Sequence, residues 1–446
     1  MTIIYKFPNG FKLIWQKPKN NLKITSIQCI CDLGSIHESG NTHGSSHFIE
    51  HMCFKGTKKL PLTKDIFQKY DEIGATFNAF TCKRYTCYYI KCMDEYITNC
   101  ILILSDIMLN STFDKREHHK ELQVVIQECI KSEDNNENII NEIIESMIYK
   151  GSSYEHPVDD IKYHSHNTLN HTLMLKIYNS FYRPDNMILS VVSNIPFKQI
   201  IQIIKKTYFL YNKKTIFPKL EKHVIFNLTP QIEKPNCIIH KKMGVNASNI
   251  VLSFRTCSQY EKDKYVLELL KEIIGGNGNS MLFNILREKN GLTYTSNVTT
   301  NYYENTGHFA INAITDSSKI LFNGNKKGVL KIIIELLNNI IIHGINQSSL
   351  HNSKQKIKGK FNMNLENNET SSLHNAEYLL LYPNNKYISY ENMYDIYYDS
   401  IDLKDINRVI VKYFNISNMN ICILTDEHTA IKSETIKKEC EKLVAR

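Results

Sequence analysis

The order of strand-like and helix-like stretches runs twice along this chain, and that repetition limits its fold more than any other feature. In the first run, strand-like segments at 13–15 and 24–31 lead into a helix around 47–51 and another at 63–73. Strands follow at 75–80 and 85–92, then helical stretches at 94–109, 115–131 and 137–149, and an apolar β-type run at 187–192. In the second run, a strand at 250–254 is followed by a helix at 262–274, a glycine-rich loop at 275–279 and a helix at 281–288. Strands at 294–301 and 307–314, helices at 326–342 and 349–364, and a strand at 421–424 complete it. Such a repeated order predicts an α+β fold of two similar α/β halves made by duplication. A polar stretch carrying Pro218 and Pro230 separates them, so the expected division is 1–215, a linker at 216–233, and 234–446. A chain of 446 residues is in any case too long for one hydrophobic core.

No apolar run reaches the roughly 20 residues that cross a bilayer. The stretch 329–342 is interrupted by Lys331, Glu335, Asn338 and Asn339 and reads as a core helix, so no membrane span is expected. The chain opens on a strand-like segment at 3–7 and an Asn9-Gly10 turn, without a charged-then-apolar leader. The net charge of +9 is modest for the length, and basic stretches such as Lys55 to Lys59 and Lys354 to Lys360 are short. They predict solvated surface rather than a nucleic-acid footprint. The twelve cysteines show no CxxC pair, which predicts free thiols. The expected location is therefore the cytoplasm or another reducing intracellular compartment.

The most informative segment is Gly44-Ser-Ser-His47-Phe-Ile-Glu50-His51-Met52. His47 and His51 are four apart, so a helix turns both imidazoles to one side, and Glu50 lies on nearly that side. Two neutral imidazoles and a carboxylate suit a catalytic zinc, and a second, non-ligating carboxylate can take a proton from water. The order His-x-x-Glu-His is the inverse of the commoner His-Glu-x-x-His. Two histidines at this spacing also arise by chance in a chain with 17 of them, so a third ligand from elsewhere is needed. The amphipathic stretch 120–130 offers Glu121 and Glu128, seven apart on one face and flanked by Leu122, Val125, Ile126 and Cys129. Either carboxylate could simply be a solvated edge residue. With the histidine pair upstream, Glu128 reads as a ligand and Glu121 as its support.

The chain resembles the insulinase/pitrilysin family of zinc metallopeptidases, in its processing-peptidase-like branch. The resemblance runs through Asp32 to Ser35, Gly44 to Thr57, Asn78-Ala-Phe-Thr81, Leu104 to Asn110, the Glu121/Glu128 segment, Tyr182 to Met187, and Leu286 to Tyr294. Glu128 lies 77 positions beyond His51, which matches the family spacing.

The resemblance implies a duplicated metallopeptidase domain whose two halves face each other across a chamber, the first carrying one zinc on His47, His51 and Glu128. It implies Glu50 as general base, with Arg287 and Tyr294 of the second half as accessory groups that hydrogen-bond the oxyanion or substrate backbone. Asn78, Ala79, Phe80 and Thr81 would pair with an extended substrate as an added strand. The implied activity is hydrolysis of peptide bonds in peptides or unfolded segments, by a homodimer or a heterodimer with a related subunit. Read alone, Arg287 pairs as readily with Glu288, and Tyr294 fits a strand core. Two other readings stay open: a non-catalytic peptide-binding subunit, or an unrelated metal hydrolase such as an amidase. The chain departs from the family at Tyr85, where a Glu is usual, at Ser193, where a Gly is usual, and in the segment 155–167, which keeps His156-Pro157 but loses glycines.

Overall fold

The computed structural model describes residues 1–160, 169–211, 224, 235–276, 278–323 and 325–444. The expected linker therefore lies, apart from Val224, outside the described residues. The first elements are β1 (Thr2–Lys6), β2 (Lys12–Gln16), β3 (Ile24–Cys31), α1 (Ser45–Cys53), α2 (Thr63–Asp71), β4 (Thr76–Thr81) and β5 (Thr86–Met93). Next come α3 (Ile97–Leu109), α4 (Lys115–Asp134), α5 (Asn136–Ile148), α6 (His171–Phe181), β6 (Met187–Val192) and α7 (Phe197–Ile204). Beyond the linker follow β7 (Asn236–Lys241), β8 (Ser248–Thr256), α8 (Asp263–Gly275), β9 (Thr293–Tyr302), β10 (Gly307–Thr315), β11 (Phe322–Asn323), β12 (Lys326–Lys327), α9 (Val329–His343) and α10 (Gln347–Asn364). The last elements are α11 (Asn368–Leu381), α12 (Met393–Tyr397), α13 (Leu403–Tyr413), β13 (Met419–Thr425) and α14 (Ser433–Cys440).

The duplication is visible in the sheets. One has the order β1-β2-β6-β3-β5-β4, the other β7-β13-β8-β10-β9. Leaving out β1, the two orders superpose strand for strand. The parallel pairs occupy equivalent places, β2 with β6 and β7 with β13, and every other pair is antiparallel. The central strands β3, β6, β8 and β13 are buried almost throughout; β6 and β13 read as near-continuous apolar runs, whereas β3 and β8 bury polar residues such as Thr25, Ser26 and Ser253 among the apolar ones.

Two compact units hold these sheets. The first comprises Met1–Lys131, His156–Ile225 and Phe361–Asn392; the second comprises Ser132–Glu155, Phe226–Lys360 and Met393–Arg446. The units thus differ from the sequence halves, because each half lends a helix to the other's sheet. Helix α11 packs on β3 and β6, and α5 packs on β8 and β13. A strand buried on both faces needs a cover on each, and these borrowed helices supply the second one. Within the first unit, Leu13, Ile27, Phe48, Met52, Tyr88, Ile101, Leu104, Val125 and Leu189 share one core.

Two expected elements differ from the sequence pattern. The stretch 281–288 is helical throughout but π-helical over Phe283–Glu288, and the helix at 326–342 begins only at Val329, after Lys326–Lys327 has paired as a strand. A third difference is an addition: α11 and α13 fill a region to which the sequence pattern assigned no element.

Candidate metal centre

Helix α1 carries the histidines, and its start is tightly defined. Gly44 precedes it with φ +82°, a left-handed conformation open to glycine. The buried carboxylate of Glu38 then accepts from Gly44 N at 2.8 Å, from Ser46 N at 2.7 Å and from Ser45 Oγ at 3.3 Å. This is an acidic cap drawn from outside the helix, satisfying amides that have no partner within it. Burial pushes Glu38 up to about 7 despite these hydrogen bonds. Phe48, Ile49, Met52 and Cys53 go into the core, which turns Glu50 and His51 toward a cleft.

Helix α4 runs beside α1. His118, Leu122, Val125 and Cys129 fix its buried face, and Glu121 is buried with them, whereas the Glu128 side chain is about half exposed at 48 %. Glu121 Oε1 lies 2.8 Å from Nδ1 of His51, and its Oε2 lies 2.5 Å from Nζ of Lys55. Burial alone would raise the Glu121 carboxyl, but the His51 and Lys55 contacts outweigh it and hold the group below its ordinary range.

The three expected ligands converge. His47 Nε2 and His51 Nε2 are 3.1 Å apart, Glu128 Oε2 is 3.2 Å from the second and 3.9 Å from the first, and one ligand atom from each lies within 4.8 Å of the others. A tetrahedral zinc with bonds of about 2.0–2.2 Å has ligand atoms about 3.3–3.6 Å apart, so the triangle fits that ion. The tautomers fit as well. His51 Nδ1 is engaged by Glu121, and His47 Nδ1 faces Asp159 Oδ1 at 3.0 Å, a charge contact outside hydrogen-bond alignment. Each imidazole therefore presents Nε2, the atom that points at the common centre. Burial pushes His47 down, but the carboxylates of Asp159, Glu50 and Glu128 push harder and bring it up to about 9. Zinc taken up here would have to displace that proton.

Glu50 is buried beside these residues, and Thr81 Oγ1 donates to its Oε2 at 2.6 Å. Burial raises its carboxyl, and the Thr81 hydrogen bond with the His47 and His51 charges only partly opposes that. The cleft measures about 420 Å³; Phe54, Phe67 and Phe77 form an apolar wall facing Glu50, Asn78, Glu121 and Glu128. Among the described residues, strand β4 is an edge, paired only with β5. Cys82 N bonds Tyr85 O, and alternation back along the antiparallel ladder turns the backbone groups of Phe77, Ala79 and Thr81 to the open edge. Ala79 N is met there by the Asn78 side chain at 2.9 Å.

Arg287 and Tyr294 belong to the second unit and meet each other. Arg287 ends the π-helical stretch, Gly291 turns with φ +58°, and Tyr294 enters β9. Arg287 Nη1 donates to Tyr294 O at 3.3 Å, its guanidinium lies over the Phe283 ring, and the Tyr294 side chain is solvent-exposed. A strand-core role for Tyr294 and a simple ion pair of Arg287 with Glu288 both give way to a shared corner.

A sequence model described as Insulinase (Peptidase family M16) matches residues 17–160, and one described as Peptidase M16 inactive domain matches residues 168–357. An uncharacterized zinc protease of Rickettsia felis is 31% identical over 69% of this chain and 72% of its own length. The chain belongs to the insulinase family of peptidases. An uncharacterized zinc protease of Bacillus subtilis is 28% identical over 84% of this chain and 88% of its own length. The mitochondrial-processing peptidase subunit beta of Dictyostelium discoideum is 24% identical over 61% of this chain and 57% of its own length. In fold, the chain is similar to a protease from Helicobacter pylori, with a TM-score of 0.85 and 20% identity over 95% of this chain and 99% of that one. The division into a peptidase region and an inactive domain parallels the distribution of ligands: among the described residues, the triad of His47, His51 and Glu128 lies wholly in the first unit.

Sequence reasoning missed Glu38, Lys55 and Asp159. Glu38 and Asp159 sit in irregular segments, where no periodicity says which way a carboxylate points. The one available signal for Asp159 was the loss of family glycines around it. Lys55 stands within the matched motif, yet nothing in its spacing pairs it with Glu121, which is far along the chain.

Proposed function

We propose that this chain is a zinc-dependent metalloendopeptidase that hydrolyses peptide bonds in peptides or unfolded segments, with one zinc per chain. The observation that carries it is the convergence of His47 Nε2, His51 Nε2 and Glu128 Oε2 beside the buried carboxylate of Glu50. When bound by those three side chains, zinc supplies Lewis acidity toward the scissile carbonyl and the attacking water. Glu50 accepts a proton from that water and delivers it to the leaving amine. Its raised carboxyl suits a group that must take and return a proton, and Thr81 fixes one of its oxygens in place.

The edge of β4 supports an extended substrate, because an added strand pairs with the outward backbone groups of Phe77, Ala79 and Thr81 within the stretch Phe77 to Thr81. The wall of Phe54, Phe67 and Phe77 favours an apolar substrate side chain next to the scissile bond. Arg287 and Tyr294 supply donors to the developing oxyanion or the substrate backbone. A homodimer, or a heterodimer with a related subunit, completes the working enzyme; the name of the Dictyostelium relative, a subunit, supports this. None of the twelve cysteines forms a disulfide, which supports a cytoplasmic or other reducing location.

The rival reading, a non-catalytic peptide-binding subunit, draws on the description of the second matched region as an inactive domain. The intact set of His47, Glu50, His51 and Glu128 weighs against it. Purified protein given a mixed peptide library distinguishes the two. Cleavage that stops with a chelator and returns with zinc is expected; cleavage by a folded, metal-free preparation contradicts the proposal.

A further inference from the structure

Glu121 accounts for one of the two imidazoles; the other has a carboxylate of its own. Asp159 Oδ1 stands 3.0 Å from Nδ1 of His47, on the side of the ring away from the ligand atom. The two acids come from unrelated places, Glu121 from α4 and Asp159 from the irregular segment after α5. That segment is held by contacts from two separate places in the first unit. Lys83, in the turn between β4 and β5, donates through Nζ to His156 O at 2.9 Å, and the His156 ring lies tilted against that of His43, just ahead of α1, with centroids 4.0 Å apart. Asp160 is buried and lies 3.8 Å from His156 Nδ1. The backbone carrying Asp159 is thus held at the helix, and the contact with His47 follows from a fixed segment.

We propose that Asp159 is a positioning residue for the metal centre, holding His47 with its Nε2 toward the ion as Glu121 holds His51. The proposal rests on the zinc reading above and adds a residue to it. Its effect is electrostatic: a negative charge beside Nδ1 stabilises an imidazole that gives electron density to a cation through Nε2. Removing such a partner costs about 10–100-fold in metal affinity, and the loose alignment here puts Asp159 toward the lower end. Asp159→Asn keeps the shape but loses the charge, so it should lose nearly as much as Asp159→Ala.

The test is a competition titration of zinc against a chromophoric chelator, made on the full-length protein. Wild type, Asp159→Asn and Asp159→Ala are compared, with thermal unfolding of each metal-free form run in parallel. The expected result is zinc affinity about tenfold weaker or more for Asp159→Ala, a comparable loss for Asp159→Asn, and a metal-free form of each that still unfolds cooperatively. Wild-type affinity in both variants overturns the proposal and leaves the zinc reading standing. A shifted midpoint with unchanged affinity reduces Asp159 to a structural contact and overturns it equally. If Asp159→Ala fails to fold, Asp159→Asn decides alone, and wild-type affinity there refutes the role. A wild-type protein that takes up no zinc removes the zinc reading, and this proposal with it.

Discussion

The Glu121 carboxylate stands 2.8 Å from His51 Nδ1 and 2.5 Å from Lys55 Nζ. A buried acid needs a partner charge to stay ionised, and Lys55 supplies one from the same helix end that His51 occupies. Glu121 can then be acceptor to the imidazole without leaving a net charge in the protein. Glu121→Gln should therefore weaken zinc retention by about tenfold or more while leaving the three ligands in place. Dialysis against graded chelator, followed by metal analysis, checks this; unchanged retention would mean that His51 is oriented by packing alone.

Lys55 acts through Glu121 and not on the metal, so its replacement should cost less than that of Glu121. Lys55→Met is expected to show an intermediate loss of zinc. A double variant with Glu121→Gln should be no worse than Glu121→Gln alone, because the lysine then has no charge to balance. Additive losses would show that Lys55 touches the site by another route.

Tyr294 is 66 % exposed, so Tyr294→Phe deletes one hydroxyl at little cost to folding. If that hydroxyl serves the transition state, kcat/KM should fall by about 10²-fold or more with zinc content unchanged. Arg287→Ala should lose comparably, although its contacts with Phe283 and the Tyr294 carbonyl make it the less clean variant. Wild-type rates from Tyr294→Phe would remove the second unit from the chemistry and leave the metal centre untouched.

Glu38 gives stability a pH dependence of definite sign. Its folded-state value, about 7, lies above its ordinary value of 4.5 because burial opposes the charge. The folded form therefore binds the proton more tightly. The associated stability is full below about pH 4.5 and is lost as pH rises through 7, on the order of 3 kcal/mol in all. Urea unfolding between pH 5 and 8 should show wild-type stability falling more steeply with pH than that of Glu38→Gln. Parallel slopes would mean that Glu38 stays ionised at its cap throughout.

Much of this was legible beforehand, for reasons that particular residues make plain. His47, Glu50 and His51 sit on one helix, where spacing fixes direction, and Glu121 and Glu128 share the face of another. Strands β3, β8 and β10 declared themselves through apolar composition and turn residues. Helix α11 did not, because its face against β3 and β6 is made of small and polar residues such as Ser371, Ser372, Asn375 and Ala376, which carry little helical periodicity. For the same reason the exchange of helices between the two sequence halves was hidden: nothing in α5 or α11 states which sheet it will cover. The strand at Lys326–Lys327 is set by pairing with Phe322–Asn323, a short local hairpin that the apolar helical pattern starting at Val329 masks. Glu38 and Asp159 belong to loops, and loops acquire direction only from what anchors them.

The central claim, a division of labour between ligand and base on neighbouring carboxylates, is tested most directly by measuring bound zinc and peptide turnover side by side in Glu50→Gln and Glu128→Gln. An amide at position 50 cannot take the proton at neutral pH, and an amide at position 128 is a poor ligand. The account predicts about one zinc per chain and almost no turnover for Glu50→Gln, and markedly depleted zinc for Glu128→Gln. Equal zinc content in the two variants, or substantial turnover by Glu50→Gln, would contradict it.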